Sequence, residues 1–181
     1  MDTEQARAFV REKAEKETTV RHLISVEGVM HALARRFGED EQAWALAGLF
    51  HDLDQDQTHD DPERHAYQAA EWLREADVDE PVVNAVLAHA HAQFRTDLMS
   101  KAIVHADAVA GLLVAAALVR PEKSAGMKVS SVKKKLKEKA FAPGVNRDEI
   151  TTVEESIGLP LDEFFAVSIE GLQSVATDIE L

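Results

Sequence analysis

Apolar residues recur along this chain at spacings of three and four, and no stretch sustains the every-second-residue alternation of a half-buried strand. The pattern predicts helices throughout. Residues 4–16 read as a polar, weakly amphipathic helix, and Thr18 or Thr19 is placed to cap the next one. Its apolar positions Val20, Leu23, Ile24, Val26, Val29, Met30, Leu33 and Phe37 form one broad stripe, and Gly38 stops it. Asp40 caps a helix through Trp44, Leu46, Ala47 and Phe50 that ends near Leu53. Residues 54–61 read as a loop, after which Pro62 opens a helix carrying His65, Ala69, Trp72 and Leu73. A helix from about Pro81 carries Val83, Val86, Leu87 and His91.

The stretch from Leu98 to Val119 is apolar almost all round, which marks it as the central, most buried helix. Three shorter helices are expected at about 129–140, 146–157 and 161–175, punctuated by Gly144 and by Gly158-Leu159-Pro160. With no internal repeat and no linker, the expectation is one all-α domain, a compact helical bundle over about 18–120 with a short helical C-terminal extension over about 121–181. Apolar positions in the last helices, such as Phe164, Phe165, Val167 and Leu172, are open to two readings, core or homodimer contact.

Composition narrows the chemistry. The chain has 181 residues, 45% of them apolar, and no cysteine. Disulfides and thiolate-bound zinc are excluded, so any metal site must use His, Asp and Glu. The charged N-terminus lacks the apolar core of a signal peptide, and the longest uninterrupted apolar run, Ala108–Val119, spans 12 residues, too short for a bilayer. A cytoplasmic protein with no membrane partner is the expectation. A net charge of −13 argues against duplex nucleic acid as a partner. Locally the sign reverses: residues 128–139 hold six lysines against one acid, either a solvated helix face or a positive rim for a phosphorylated small molecule.

The chemistry-bearing residues sit where the helices are most apolar. His22 begins the stripe of the second helix, and His51-Asp52 ends the third. Asp107 lies inside the run KAIVHADAVAGLLVAAALV, where a carboxylate is expected to be buried. It is then neutral, or paired with Lys101 or a histidine, or bound to a cation, because an unpaired buried charge is too costly. His22, His51 and Asp52 are available as partners or as further ligands, and His-plus-carboxylate sets suit iron, manganese, zinc and similar divalent ions. A buried Asp–His hydrogen bond is the competing reading.

The order of these segments, RHLISVEGVMHALA, LAGLFHDLD and HADAVAGLLVAAALV, resembles the HD-domain superfamily of metal-dependent phosphohydrolases. Its pattern of a histidine, an adjacent His-Asp pair and a distant aspartate is matched by His22, His51-Asp52 and Asp107, with separations of 29 and 55 residues. The likeness is closest to small single-domain prokaryotic members, whose C-terminal extension is similar to residues 117–150. Leu53-Asp54 replaces the Ile-Gly that names one subtype, and the Gly-Tyr-Pro signature of the cyclic-dinucleotide branch is lacking.

The resemblance implies an HD-domain helical bundle, a divalent ion (Mn, Fe, Mg, Zn or Ni) held by His22, His51, Asp52 and Asp107, and hydrolysis of a nucleotide or similar small phosphoester by metal-activated water. It offers His65 and His89 as ligands of a second ion bridged by Asp52, although dinuclear members carry an adjacent His-His where this chain has His-Ala-His. His89 and His91, two apart on a helix, are not expected to face the same way, and His89 fits the family position better. Asp52, Asp54 and Asp56 are candidates for placing water or taking its proton. Lys101, Arg120, Arg147 or the 128–139 lysines would neutralise phosphate charge. The alternative of a different class is a non-catalytic metal- or nucleotide-binding regulatory module.

Overall fold

The computed structural model describes residues 1–181 and is entirely helical. In chain order the α-helices are α1 (Thr3–Lys13), α2 (Glu17–Phe37), α3 (Glu41–Phe50), α4 (Gln55–Thr58), α5 (Tyr67–Glu75), α6 (Glu80–Ala90), α7 (Leu98–Leu118), α8 (Val129–Lys137), α9 (Arg147–Thr151), α10 (Val153–Ile157) and α11 (Leu161–Ser174). A single 3-10 turn, Ala92–Phe94, joins α6 to α7. Local cap chemistry sets several ends. Asp40 accepts from the N–H groups of Gln42 and Ala43, Asp97 forms a capping box with Ser100, and Gly38 closes α2 at φ 73°.

Where the expected boundaries differ, a long-range partner is the reason. Neither Thr18 nor Thr19 caps α2. Its entry is held by Asp56, whose carboxylate accepts from the N–H groups of Glu15 and Lys16 and from the Thr19 hydroxyl at 2.9–3.0 Å. Pro62 does not open a helix. Residues 62–66 are turns, Ala66 adopts a left-handed φ of 67°, and α5 starts at Tyr67 with Asp54 accepting from the Ala69 N–H at 3.0 Å. The loop expected at 54–61 contains the one-turn α4, the helix expected over 146–157 is broken at Thr152, and His91 lies just beyond α6.

Helix α2 packs against α3, α7 and α11. Its crossing with α3 is tight: a Cβ on Gly48 would meet the Val26 carbonyl oxygen at 2.6 Å. On the other side of α2, Gly28 and Gly171 bring α2 and α11 into backbone contact, and a side chain at either would strike the partner's carbonyl oxygen. Helix α11 is therefore built into the core. Phe164, Phe165 and Leu172 are fully buried in it and Val167 partly so, which decides their role in favour of core. Truncating either Phe to Ala is expected to cost about 3–5 kcal/mol.

The 21 residues of α7 correct the membrane argument made from apolar run length. Interrupted only by polar residues such as Lys101, His105 and Asp107, the helix is long and apolar enough to cross a bilayer. Two-thirds of its most apolar window (67%) is buried inside this protein, as in the core helix of a globular domain.

Candidate metal centre

Six side chains converge where α2, the end of α3, the 62–66 turn, α6 and α7 meet. Asp107 Oδ1 lies 3.1 Å from His22 Nε2 and 3.7 Å from His51 Nε2. The two histidine Nε2 atoms are themselves 3.2 Å apart. Asp52 faces both ways. Its Oδ2 is 3.9 Å from His22 Nε2 and 3.8 Å from His51 Nε2, and its Oδ1 is 3.1 Å from His65 Nε2 and 3.3 Å from His89 Nε2. Ligand atoms of His22, His51 and Asp107, and of His51, Asp52 and His89, form two overlapping groups tight enough to surround an ion. Asp107 is less enclosed than its apolar surroundings suggested: its side chain keeps 29% exposure, as His22 keeps 28%. The cluster opens on that side.

The second nitrogens fix the tautomers. His51 is fully buried, and its Nδ1–H donates to the Gly48 carbonyl at 2.8 Å, so Nε2 of the neutral ring is a lone pair aimed at the centre. The Thr58 hydroxyl donates to the Asp54 carbonyl at 2.8 Å and so accepts from His65 Nδ1–H at 3.0 Å. The neutral His65 ring then turns a lone pair toward Asp52 Oδ1. That oxygen is buried with no hydrogen-bond partner, and so is Nδ1 of His89. Acceptors pressed this close repel unless a proton or a cation lies among them. The donor set, nitrogen and carboxylate oxygen without sulfur, fits a divalent transition ion.

Electrostatics ties the cluster together. Burial alone would raise Asp52 and Asp107, yet the surrounding imidazoles hold both well below the usual carboxylate range. Burial alone would lower His65, but the carboxylates of Asp52 and Asp54 push it up to about 9. His89 goes the other way. Burial, with help from the charges of His51 and His65, lowers it to about 4 against the pull of Asp52 and Asp107. At neutral pH a proton and an ion thus compete for His65, whereas His89 is ready as a neutral ligand.

Several expected site residues stand elsewhere. Asp54 is fully buried behind His65: Oδ2 accepts from the Ala69 N–H, and Oδ1 lies 3.0 Å from His65 Nδ1 but off the N–H axis. Asp56 turns to the entry of α2, where Lys16 Nζ also reaches it at 3.2 Å. Both lack the placement for taking a proton from water at the cluster. Lys101 is exposed six residues before Asp107, about 9 Å along α7, and shares a polar surface with Arg95, Thr152 and Glu155. Arg120 donates to the carbonyls of Lys123 and Ala125, and Arg147 organises the loop after α8 through the carbonyls of Leu136, Glu138 and Phe141. In the lysine strip, Lys133 pairs with Asp162, and Lys135 pairs with Glu138 and covers Phe141. The strip reads as a solvated face.

Four supporting residues escaped the sequence reading. Thr58 fixes His65, and His91 donates Nε2–H to the His65 carbonyl at 2.8 Å. Arg95 donates to the carbonyls of Ala88 and His89 at the end of α6, on the surface it shares with Lys101. Glu149, on α9, feels the charges of both Asp107 and Arg95, and its carbonyl accepts from His105 Nδ1. Only His91 carried a signal, its spacing of two from His89, and the break of α6 at Ala90 frees it from the helical direction assumed for it.

Comparison with known proteins agrees with this geometry. The profile of the HD domain matches residues 19–119, more than half of the chain and the span that holds all six residues. Ribonuclease Y 2 of Levilactobacillus brevis is 30% identical over 90 residues, which are 50% of this chain and 17% of that protein. The chain therefore spans a small part of that relative's length. No solved structure matches. With its His and Asp residues gathered at one centre and the profile covering them, the chain belongs to the HD domain family of metal-dependent phosphohydrolases.

Proposed function

We propose that the chain is a hydrolase of small phosphoesters, with a nucleotide as the favoured substrate class, and that it works with two divalent ions. The observation that carries this reading is Asp52, with one carboxylate oxygen toward His22 and His51 and the other toward His65 and His89. His22, His51, Asp107 and Asp52 would hold one ion, and His65, His89 and Asp52 the other. When bound, such ions supply a water of lowered pKa and polarise the phosphoryl oxygens.

The protein's own groups do the rest. His51 and His65 keep their Nε2 lone pairs inward because Gly48 and Thr58 take their other protons. Asp54 backs His65. In the net reaction water adds to phosphorus, the P–O bond to the organic group breaks, and the alcohol leaves with a proton. The relative is a ribonuclease by name, which points to RNA. The net charge of −13 and the lysine strip's own ion pairs support a small phosphoester over a polyanion.

The test is a screen of Mn²⁺-loaded protein against nucleoside mono-, di- and triphosphates, p-nitrophenyl phosphate and its bis-ester. Turnover that His51→Ala and Asp52→Ala both abolish is expected. Metal-replete protein that turns over none of them would leave the regulatory-module reading standing.

A further inference from the structure

The seam between α2 and α7 does not end at the cluster. From Asp107 the same face of α7 continues through Gly111, Val114, Ala115 and Leu118, at the spacing of three and four that keeps side chains aligned. From His22 the facing side of α2 runs back through Arg21 and Thr18. Together the two helices line a groove of about 340 Å³, whose walls are completed by Ser25 and by Ile179 and Leu181 near the C-terminus. That volume falls within the range of roughly 300–1,000 Å³ typical of small-ligand sites. Its lining is mostly apolar, and His22 belongs to both the groove and the cluster.

Two features say what would cover it. Leu118 and Val119, 66% and 64% exposed, are the most exposed large apolar side chains of the chain, and Leu118 lines the groove. Charge is confined to one flank, where Arg21 is already held by Glu180 at 2.5 Å and Glu17 at 3.5 Å. The complementary molecule therefore has an anionic head at the His22 and Asp107 end and an uncharged apolar body along the groove. From Asp107 to Ala115 the helix rises about 12 Å, room for a ring but not for a polymer.

We propose that this groove receives the organic group of the phosphoester and selects an apolar, ring-sized group over a small one. The assignment of the head group rests on the phosphohydrolase reading, and the body of the groove does not. The probes are phenylphosphonate and methylphosphonate, which carry the same head and resist hydrolysis, titrated by calorimetry into the Mn²⁺-loaded full chain. Phenylphosphonate is expected to bind at least about tenfold more tightly, the effect of burying one ring. Ala115→Trp, which fills the groove, should remove that preference and leave methylphosphonate within about twofold. Leu118→Asp, at a position exposed enough to leave folding intact, should reduce the preference severalfold.

Equal affinity of the wild type for both probes would overturn the proposal, as would equal loss of both in an Ala115→Trp protein that melts like the wild type. Dissociation of a wild-type dimer by Leu118→Asp, seen by light scattering, would assign the groove to a second copy and overturn it too. If neither phosphonate binds, the phosphohydrolase reading is what fails. Phenol alone then decides the groove: it must shift the NMR signals of Gly111 and Ala115 in the wild type and not in Ala115→Trp, and unchanged wild-type signals would overturn the proposal.

Discussion

The two sides of the centre are built differently. His22, His51 and Asp107 stand on or directly beside three packed helices, and the Gly48 close approach locks the ring of His51. His65 stands on a turn with no helix of its own, held by Thr58, Asp54 and the His91 hydrogen bond to its carbonyl. Asp52 serves both. The contrast teaches that a ligand on a helix inherits its position from the core, whereas a ligand on a turn needs dedicated neighbours. Affinity on the turn side should therefore be open to tuning at residues that never touch the ion.

The largest effect should come from the shared residue. Asp52→Ala is expected to remove ions from both sides and to lower hydrolysis by more than the roughly 10–100-fold that loss of an outer partner costs. Elemental analysis and rate on one preparation check it, and loss from one side alone would break the comparison. Asp54→Asn should come next, weakening only the turn side by about 10–100-fold in metal affinity, because Asn still accepts from the Ala69 N–H but no longer backs His65 with charge. Metal retained after dialysis is the readout. Thr58→Val, which removes the hydroxyl that accepts from His65 Nδ1, should have the same selectivity and a smaller size, a few-fold at most.

The smallest effect on catalysis belongs to Asp56. Burial alone would raise its pKa, but the N–H groups of Lys16 and Glu15 and the Thr19 hydroxyl bring it below the ordinary value. A depressed folded-state pKa means stability that is fully present above the unfolded value, about 3.9, and lost as pH falls through the folded one. Asp56→Asn should thus lower unfolding free energy by about 1 kcal/mol at pH 7, with the gap to wild type closing on acidification and the turnover rate unchanged. Denaturant melts at pH 7 and below pH 4 measure this. A rate loss would restore Asp56 to the reacting groups.

The same contrast explains what could be read from the sequence. His22, His51-Asp52 and Asp107 were legible because helical spacing and apolar context fix a residue's direction. His65 and His89 were legible as candidates through family resemblance, and the geometry brings them to the other oxygen of Asp52. Asp54 and Asp56 were misread because their partners, the N–H groups of Ala69, Glu15 and Lys16, belong to segments whose positions only the fold defines. The start of α5 was missed for the same reason, since Asp54 and the left-handed Ala66 outweigh Pro62 as a start signal. Lys101 was read as a partner for Asp107 or for phosphate, yet it stands exposed on a surface it shares with Arg95, because its helical position turns it away from the cluster. The C-terminal segment read as an extension because nothing local marks the contact of Gly171 with Gly28.

The central claim is that one carboxylate, Asp52, joins two ion sites of unequal construction. Counting tightly bound Mn²⁺ by elemental analysis in wild type and His65→Ala tests it most directly. Two ions per chain in the wild type and one in His65→Ala are predicted, with the remaining ion lost on further substitution of Asp107. Wild-type protein that retains no ion after reconstitution, or a His65→Ala count equal to the wild type's, would contradict the account.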